Sequence, residues 1–112
     1  MKLYSREIAT QLLPLLAGIG REIRERESRL TALETELALL QGLEGVDSDD
    51  ARTLDLIAEM AVHRRELRFA EKELERLGCT VVGHSPLTIR IPGRVGETKR
   101  SFVWQSGDAV LN

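Results

Sequence analysis

Residues 5–40 read SREIATQLLPLLAGIGREIRERESRLTALETELALL. From Ala9 onward, apolar residues fall on alternating steps of three and four. Ala9, Leu16, Ile23, Leu30 and Leu37 make one row, and Leu12, Ile19, Leu33 and Leu40 the other, with Arg26 the single polar intruder. A repeat averaging about 3.5 residues keeps one narrow seam facing a partner helix, so the stretch reads as a coiled-coil-like helix. Ser5 can accept from the open amides of the first turn, and Glu7 sets negative charge against the positive helix end. Pro14 removes a helical hydrogen bond, and Gly18 and Gly20 weaken the following turns. A kink near residues 10–14 is therefore expected, but the seam continues in register, which predicts a bend rather than a stop.

Working outward, Gly42 and Gly45 end this first helix, residues 5–41, because glycine tolerates the left-handed cap conformation. Asp47, Ser48, Asp49 and Asp50 form an acidic cap for a second helix, residues 50–77. Its seam reads Thr53, Leu56, Met60, His63, Leu67, Ala70, Leu74 and Leu77. So short a connection predicts antiparallel packing, with Arg26 and His63 adjacent in the middle of the hairpin. After Gly78 the composition switches. Thr80-Val81-Val82, Leu87-Thr88-Ile89-Arg90-Ile91 and Ser101-Phe102-Val103-Trp104 are β-branched or aromatic runs bounded by Gly, Pro and Ser. Pro92-Gly93 and Gly107-Asp108 mark turns, and Ala109-Val110-Leu111 reads as a last short strand. Residues 79–112 thus make a small antiparallel sheet, which the extended residues 1–4 can join. The fold class is α+β, one domain over residues 1–112: a long antiparallel two-helix hairpin with a small C-terminal sheet.

Tyr4-Ser5-x-Glu7-x-Ala9-x-x-Leu12-Leu13-Pro14-Leu15-Leu16 resembles the opening signature of an uncharacterised prokaryotic family, domain-of-unknown-function family 2203. The tail is similar too: Gly78, the Ile91-Pro92-Gly93 step, Gly96, and Val103-Trp104-x-x-Gly107-Asp108 look like that family's closing hairpin. Three features depart from the pattern. Val103 stands where Cys is common, Asp108 where Glu is usual, and the family's continuation, a Trp-His pair followed by Gly and Arg, does not follow Asn112. A site carried there in relatives would be absent here. The resemblance implies a prokaryotic, here bacterial, source and supports the architecture, and it implies no activity.

Composition narrows the function classes. Aromatics are 4% of the 112 residues, so a core must come from Leu, Ile, Val and Ala. The 30% of charged residues suits long helices exposing most of their circumference to water. A net charge of −2 gives the whole chain no pull toward nucleic acid or anionic membrane. The lone Cys79 rules out an internal disulfide and fits a reducing compartment. No stretch approaches the roughly 18 apolar residues that span a bilayer. MKLYSREIA lacks the apolar core and cleavage site of a signal peptide, so a cytoplasmic location is expected.

Each candidate constellation has a competing plain reading. Glu59, His63 and Glu66 share one helical flank and are the metal candidates. The bundle motif is Glu-x-x-His, however, and here the order is reversed with Arg26 facing it. A polar layer that fixes register, with Arg26 reaching Glu66 or solvent, is the expectation. Cys79 and His84 suggest a thiol–imidazole pair, but structural zinc needs four ligands and a catalytic thiol needs a placed base. Counted as a calcium loop, Asp47-x-Asp49-Asp50 puts Ala51, Arg52 and Ala58 at required positions. Gly18-Ile19-Gly20 follows no strand, and Ile23 takes the third glycine's place. Arg90, Arg94, Lys99 and Arg100 could touch phosphate, with Phe102 or Trp104 stacking, but read more simply as edge defence of a sheet. No Ser/His/Asp set or phosphate loop occurs in the sequence.

The expectation is a non-enzymatic self-assembling or protein-interaction module without a cofactor. Leu13, Leu15, Leu54, Ile57 and Val62 lie beside the seam as an interface, which predicts a homodimeric four-helix bundle, or a tetramer. The alternative is a small-ligand or metal-binding protein using the mid-bundle polar layer or a sheet–helix pocket.

Overall fold

A computed structural model describes residues 3–42, 51–108 and 111. The expected acidic cap at Asp47 to Asp50, the glycine stop at Gly45 and the strand residues Ala109 and Val110 lie outside the described residues. In chain order the elements are α1 (Arg6–Gln11), α2 (Leu13–Gln41), α3 (Ala51–Arg76), β1 (Thr80–His84), β2 (Leu87–Ile91), β3 (Arg94–Val95), β4 (Thr98–Lys99) and β5 (Phe102–Gln105). The chain measures 65 × 22 × 19 Å with a radius of gyration of 18.5 Å. A compact chain of this length would have about 13 Å. The excess comes from the α2–α3 hairpin.

Ser5 caps α1, its hydroxyl accepting from the Ile8 amide at 3.2 Å. Leu12 separates α1 from α2 yet keeps right-handed helical torsions, and Leu16 N donates to Leu12 O at 2.9 Å. Pro14 falls within the first turn of α2, where a missing amide costs least. The two heptad rows then pack as their spacing dictates: Ala9, Leu16, Ile19, Ile23, Leu30 and Leu33 are buried against Leu56, Met60, Ala70 and Leu74 of α3.

The core is not continuous. One cluster joins the near halves of the helices to the sheet, through Leu16, Ile23, Leu74, Ile89, Phe102 and Trp104 among others. A second, far smaller cluster lies toward the loop: Leu30, Leu33, Leu56 and Met60, fringed by Leu37 and Leu40. Leu67 touches both.

β2 is the central strand of an antiparallel β1-β2-β5 sheet. Leu87, Ile89 and Ile91 point inward and are buried, while Arg90 points to solvent, as a two-residue period requires. Ile89 pairs with Trp104 and Ile91 with Phe102, so the aromatic residues join the aliphatic row. The β3–β4 ribbon forms a separate two-stranded unit, turning at Gly96 with φ of +62°. Tyr4 bridges to Gly93 in parallel, its amide donating to Pro92 O and its carbonyl accepting from Arg94 N, both at 2.9 Å. Its hydroxyl donates to Leu77 O at 2.8 Å, covering an open carbonyl at the end of α3.

Two glycines have long-range reasons. A Cβ on Gly20 would lie 3.1 Å from Leu87 Cδ2, so α2 approaches the sheet closely there. A Cβ on Gly93 would lie 2.3 Å from the Phe102 ring and 2.4 Å from Arg100 O, so only glycine fits where the ribbon crosses that ring.

Candidate functional site

Arg26 and His63 meet in the gap between the two clusters. Arg26 Nη1 donates to His63 Nδ1 at 3.0 Å, and Nε donates to Glu22 Oε1 at 2.7 Å. A guanidinium has no acceptor, so Nδ1 must accept and the imidazole in this pair is neutral, its proton on Nε2. The hydrogen bond donated to Glu22 raises the Arg26 pKa; partial burial opposes it, and the fields of Glu22, Glu66 and Glu25 add to it. The ion-pair partner of Arg26 is Glu22, one turn back on the same flank as the i,i+4 spacing of the sequence allows, while Glu66, expected as an alternative to solvent, adds its field. Of the other metal candidates, Glu59 pairs with Arg29 at 3.6 Å, and Glu66 lines a separate groove with Phe69 and Leu15. Among the described residues no group of three or more His, Cys, Asp or Glu is gathered to hold a metal ion.

Cys79 and His84 line one groove of about 440 Å³ between the end of α3 and β1, with Ile23, Leu74 and Val81 as apolar walls. Cys79 is 4% exposed, and its Sγ lies 4.0 Å from Leu77 O. Burial pushes the thiol up to about 11, so it stays protonated and is a poor nucleophile near neutral pH. His84 Nδ1 lies 3.3 Å from Glu27 Oε2 at an exposed rim, engaged with a carboxylate rather than aimed at the thiol.

The third arrangement is a surface. Leu54, Ile57 and Val62 are 52%, 48% and 43% exposed on α3, and Ala58 and Ala61 between them are exposed as well. At 100° per residue, Leu54, Ala58, Ala61 and Val62 lie away from Leu56 and Met60 and Ile57 sits on the flank between, so the apolar arc of α3 extends well beyond its seam in this half. Ion pairs lace the seam edges: Arg52–Glu36 at 2.6 Å, Arg29–Glu59 at 3.6 Å and Arg64–Glu34 at 3.7 Å. They are compatible with the antiparallel register that the buried seam sets, and they leave the outer stripe uncovered. Such a stripe has no proton or electron chemistry; it can bury itself against another apolar surface.

Of the five residues read from sequence as an interface, the structure brings three together, Leu54, Ile57 and Val62. Leu13 is only 8% exposed and belongs to the core of its own chain. Leu15 is exposed but sits far along the hairpin, on a groove of about 430 Å³ with Phe69. Phe69 escaped the sequence reading because it falls off the seam rows, although an aromatic at an off-seam position is itself a signal.

Among the described residues no helix is long and apolar enough to cross a membrane. The chain matches the family described as "Uncharacterized conserved protein (DUF2203)" over residues 2–112, and it belongs to that family. No curated protein and no solved structure matches it.

Proposed function

We propose that this member of the DUF2203 family is a non-enzymatic self-assembling module, in which the outer stripe of α3 seats a second copy. Residues 1–112 act as a single cytoplasmic domain, and two hairpins pack into a four-helix bundle. The observation that carries this reading is the apolar stripe Leu54, Ile57, Ala58, Ala61 and Val62, on a hairpin arm only two helices thick. Two helices bury one seam and leave their outer faces wet, and a third or fourth helix is the usual cover. The stripe suits its own copy. Small residues at its middle let two α3 helices cross closely, and larger ones on each side interdigitate about a two-fold axis. Removing the exposed halves of Leu54, Ile57 and Val62 from water on both copies yields roughly 5–8 kcal/mol before association costs.

Light scattering coupled to size exclusion, run over a wide range of concentrations, tests this. The expected mass is twice the 12.6 kDa of the chain, falling toward one chain on dilution. Leu54→Glu combined with Ile57→Glu should give a monomer whose helical circular dichroism is retained. A wild-type monomer at every concentration overturns the reading. The alternative, small-ligand binding in a sheet–helix pocket, is favoured by the groove at Cys79 and His84. Stoichiometric metal in purified protein that is lost in His63→Ala would instead support a metal role.

A further inference from the structure

We infer that the open groove between the solvent face of β2 and the β3–β4 ribbon is an anion site for a small oligophosphate. Arg90, Lys99 and Arg100 line this groove of about 360 Å³, with the hydroxyl residues Thr80 and Ser101. Its size lies in the range of small-ligand pockets. Three observations carry the assignment.

The first is charge without a partner. Among the described residues, none of Arg90, Arg94, Lys99 and Arg100 has a carboxylate within 4.0 Å, and Glu97 at the ribbon's turn pairs with none of them. On the hairpin arm arginines 26, 29, 52 and 64 are each on a glutamate. Arg65 and Arg68 are exposed on α3 with no such pair among the described residues, so it is the gathering of the sheet cations around one groove that sets them apart.

The second is register. Arg94 and Lys99 are direct cross-strand partners in a ladder of two pairs. Like charges directly opposite destabilise a ribbon, so this pairing works against the fold that displays it. Arg94 does not line the groove, but an anion held there against Lys99 would offset the repulsion between the pair. Edge defence does not account for the set, because Arg90 belongs to β2, the central strand, and guards no edge.

The third is placement. Arg100 N donates to Gly93 O at 2.9 Å, and Gly93 is pinned against the Phe102 ring where no Cβ fits. The backbone that carries Arg100 is therefore fixed before any ligand arrives, which lowers the ordering cost of binding.

The occupant is a compact polyanion rather than a nucleic-acid strand. Phe102 and Trp104 are 0% and 3% exposed, so neither offers a ring to stack on a base. Arg90, Lys99 and Arg100 line one groove instead of following a track, and the whole chain carries −2. This inference does not draw on the self-assembly reading.

Isothermal titration with inorganic triphosphate at roughly 20 mM and roughly 200 mM salt tests it. The expected result is saturable one-to-one binding that weakens with salt. Arg90→Gln combined with Lys99→Gln should lose about tenfold or more in affinity, with an unchanged thermal melt. Arg65→Gln combined with Arg68→Gln, which removes the same charge from α3, should change affinity less than about twofold. Lys99→Gln alone serves if the double variant melts early, and should give an intermediate loss. Absence of saturable binding by the wild type overturns the inference, as does an equal loss in the α3 control. Tighter binding of single-stranded oligothymidine than of triphosphate at the same salt also overturns it, in favour of nucleic acid.

Discussion

The two halves of the helical hairpin are built from the same heptad and end up as different materials. Near the sheet, Leu16, Ile23 and Leu74 have a third layer over them, with Ile89, Ile91, Phe102 and Trp104 closing the core. Toward the loop, Leu30, Leu33, Leu56 and Met60 are fringed by Leu37, Leu40 and Leu67 with no third layer among the described residues, and α3 meets water through Leu54, Ile57 and Val62. A heptad specifies one seam and is silent about the remaining faces. What lies on those faces decides whether a stretch of helix is interior or available. The Arg26–His63 layer marks the border between the two regimes.

The widest contrast comes from matched deletions. Phe102→Ala, in the layered half, should cost about 3–5 kcal/mol in urea unfolding, at any protein concentration. Leu56→Ala, in the bare half, should cost about 2–4 kcal/mol, and under the proposed self-assembly the loss should grow with concentration. Equal and concentration-independent losses would erase the distinction.

A smaller effect sits at the border. His63→Leu leaves Arg26 with Glu22 but no acceptor across the seam, an expected loss of about 1–2 kcal/mol. Arg26→Leu with His63→Leu should recover that loss by fusing the two clusters, and a double-mutant cycle of thermal melts measures the coupling. Additive losses would mean the layer is not a unit.

The smallest test uses two glycines one residue apart from a common neighbour. A Cβ on Gly18 meets nothing within 4 Å, so Gly18→Ala should stabilise by about 0.5–1 kcal/mol through helix propensity. Gly20→Ala gains the same propensity but presses on Leu87, and should be neutral or destabilising by about 1 kcal/mol. Differential scanning calorimetry of the pair reads the sheet's contact with α2 directly.

The seam rows were legible because periodicity is a local property: Thr53, Leu56, Met60, Ala70 and Leu74 could be read from spacing alone, and so could the inward row Leu87, Ile89 and Ile91. Gly20 and Gly93 could not be read that way. Each is required by a side chain at least nine residues away in sequence, and nothing near it announces the contact. The outer stripe was half legible. Leu54, Ile57 and Val62 follow from helical angles, whereas Leu13 goes inside because the sheet covers α2 at that level, a fact of tertiary assembly. The apposition of Arg94 and Lys99 depends on the ribbon's register, which two-residue strands scarcely encode.

Tyr4 has a consequence for how the chain is made. Its three hydrogen bonds reach Leu77, Pro92 and Arg94, the first across a separation of 73 residues. During synthesis from the N-terminus, α2 and α3 can close on each other as soon as both have emerged, since their contacts span a short loop. The first residues must wait for the β3 strand before they acquire a partner. The molecule therefore ripens from the middle outward, and its opening segment is among the last to be fastened.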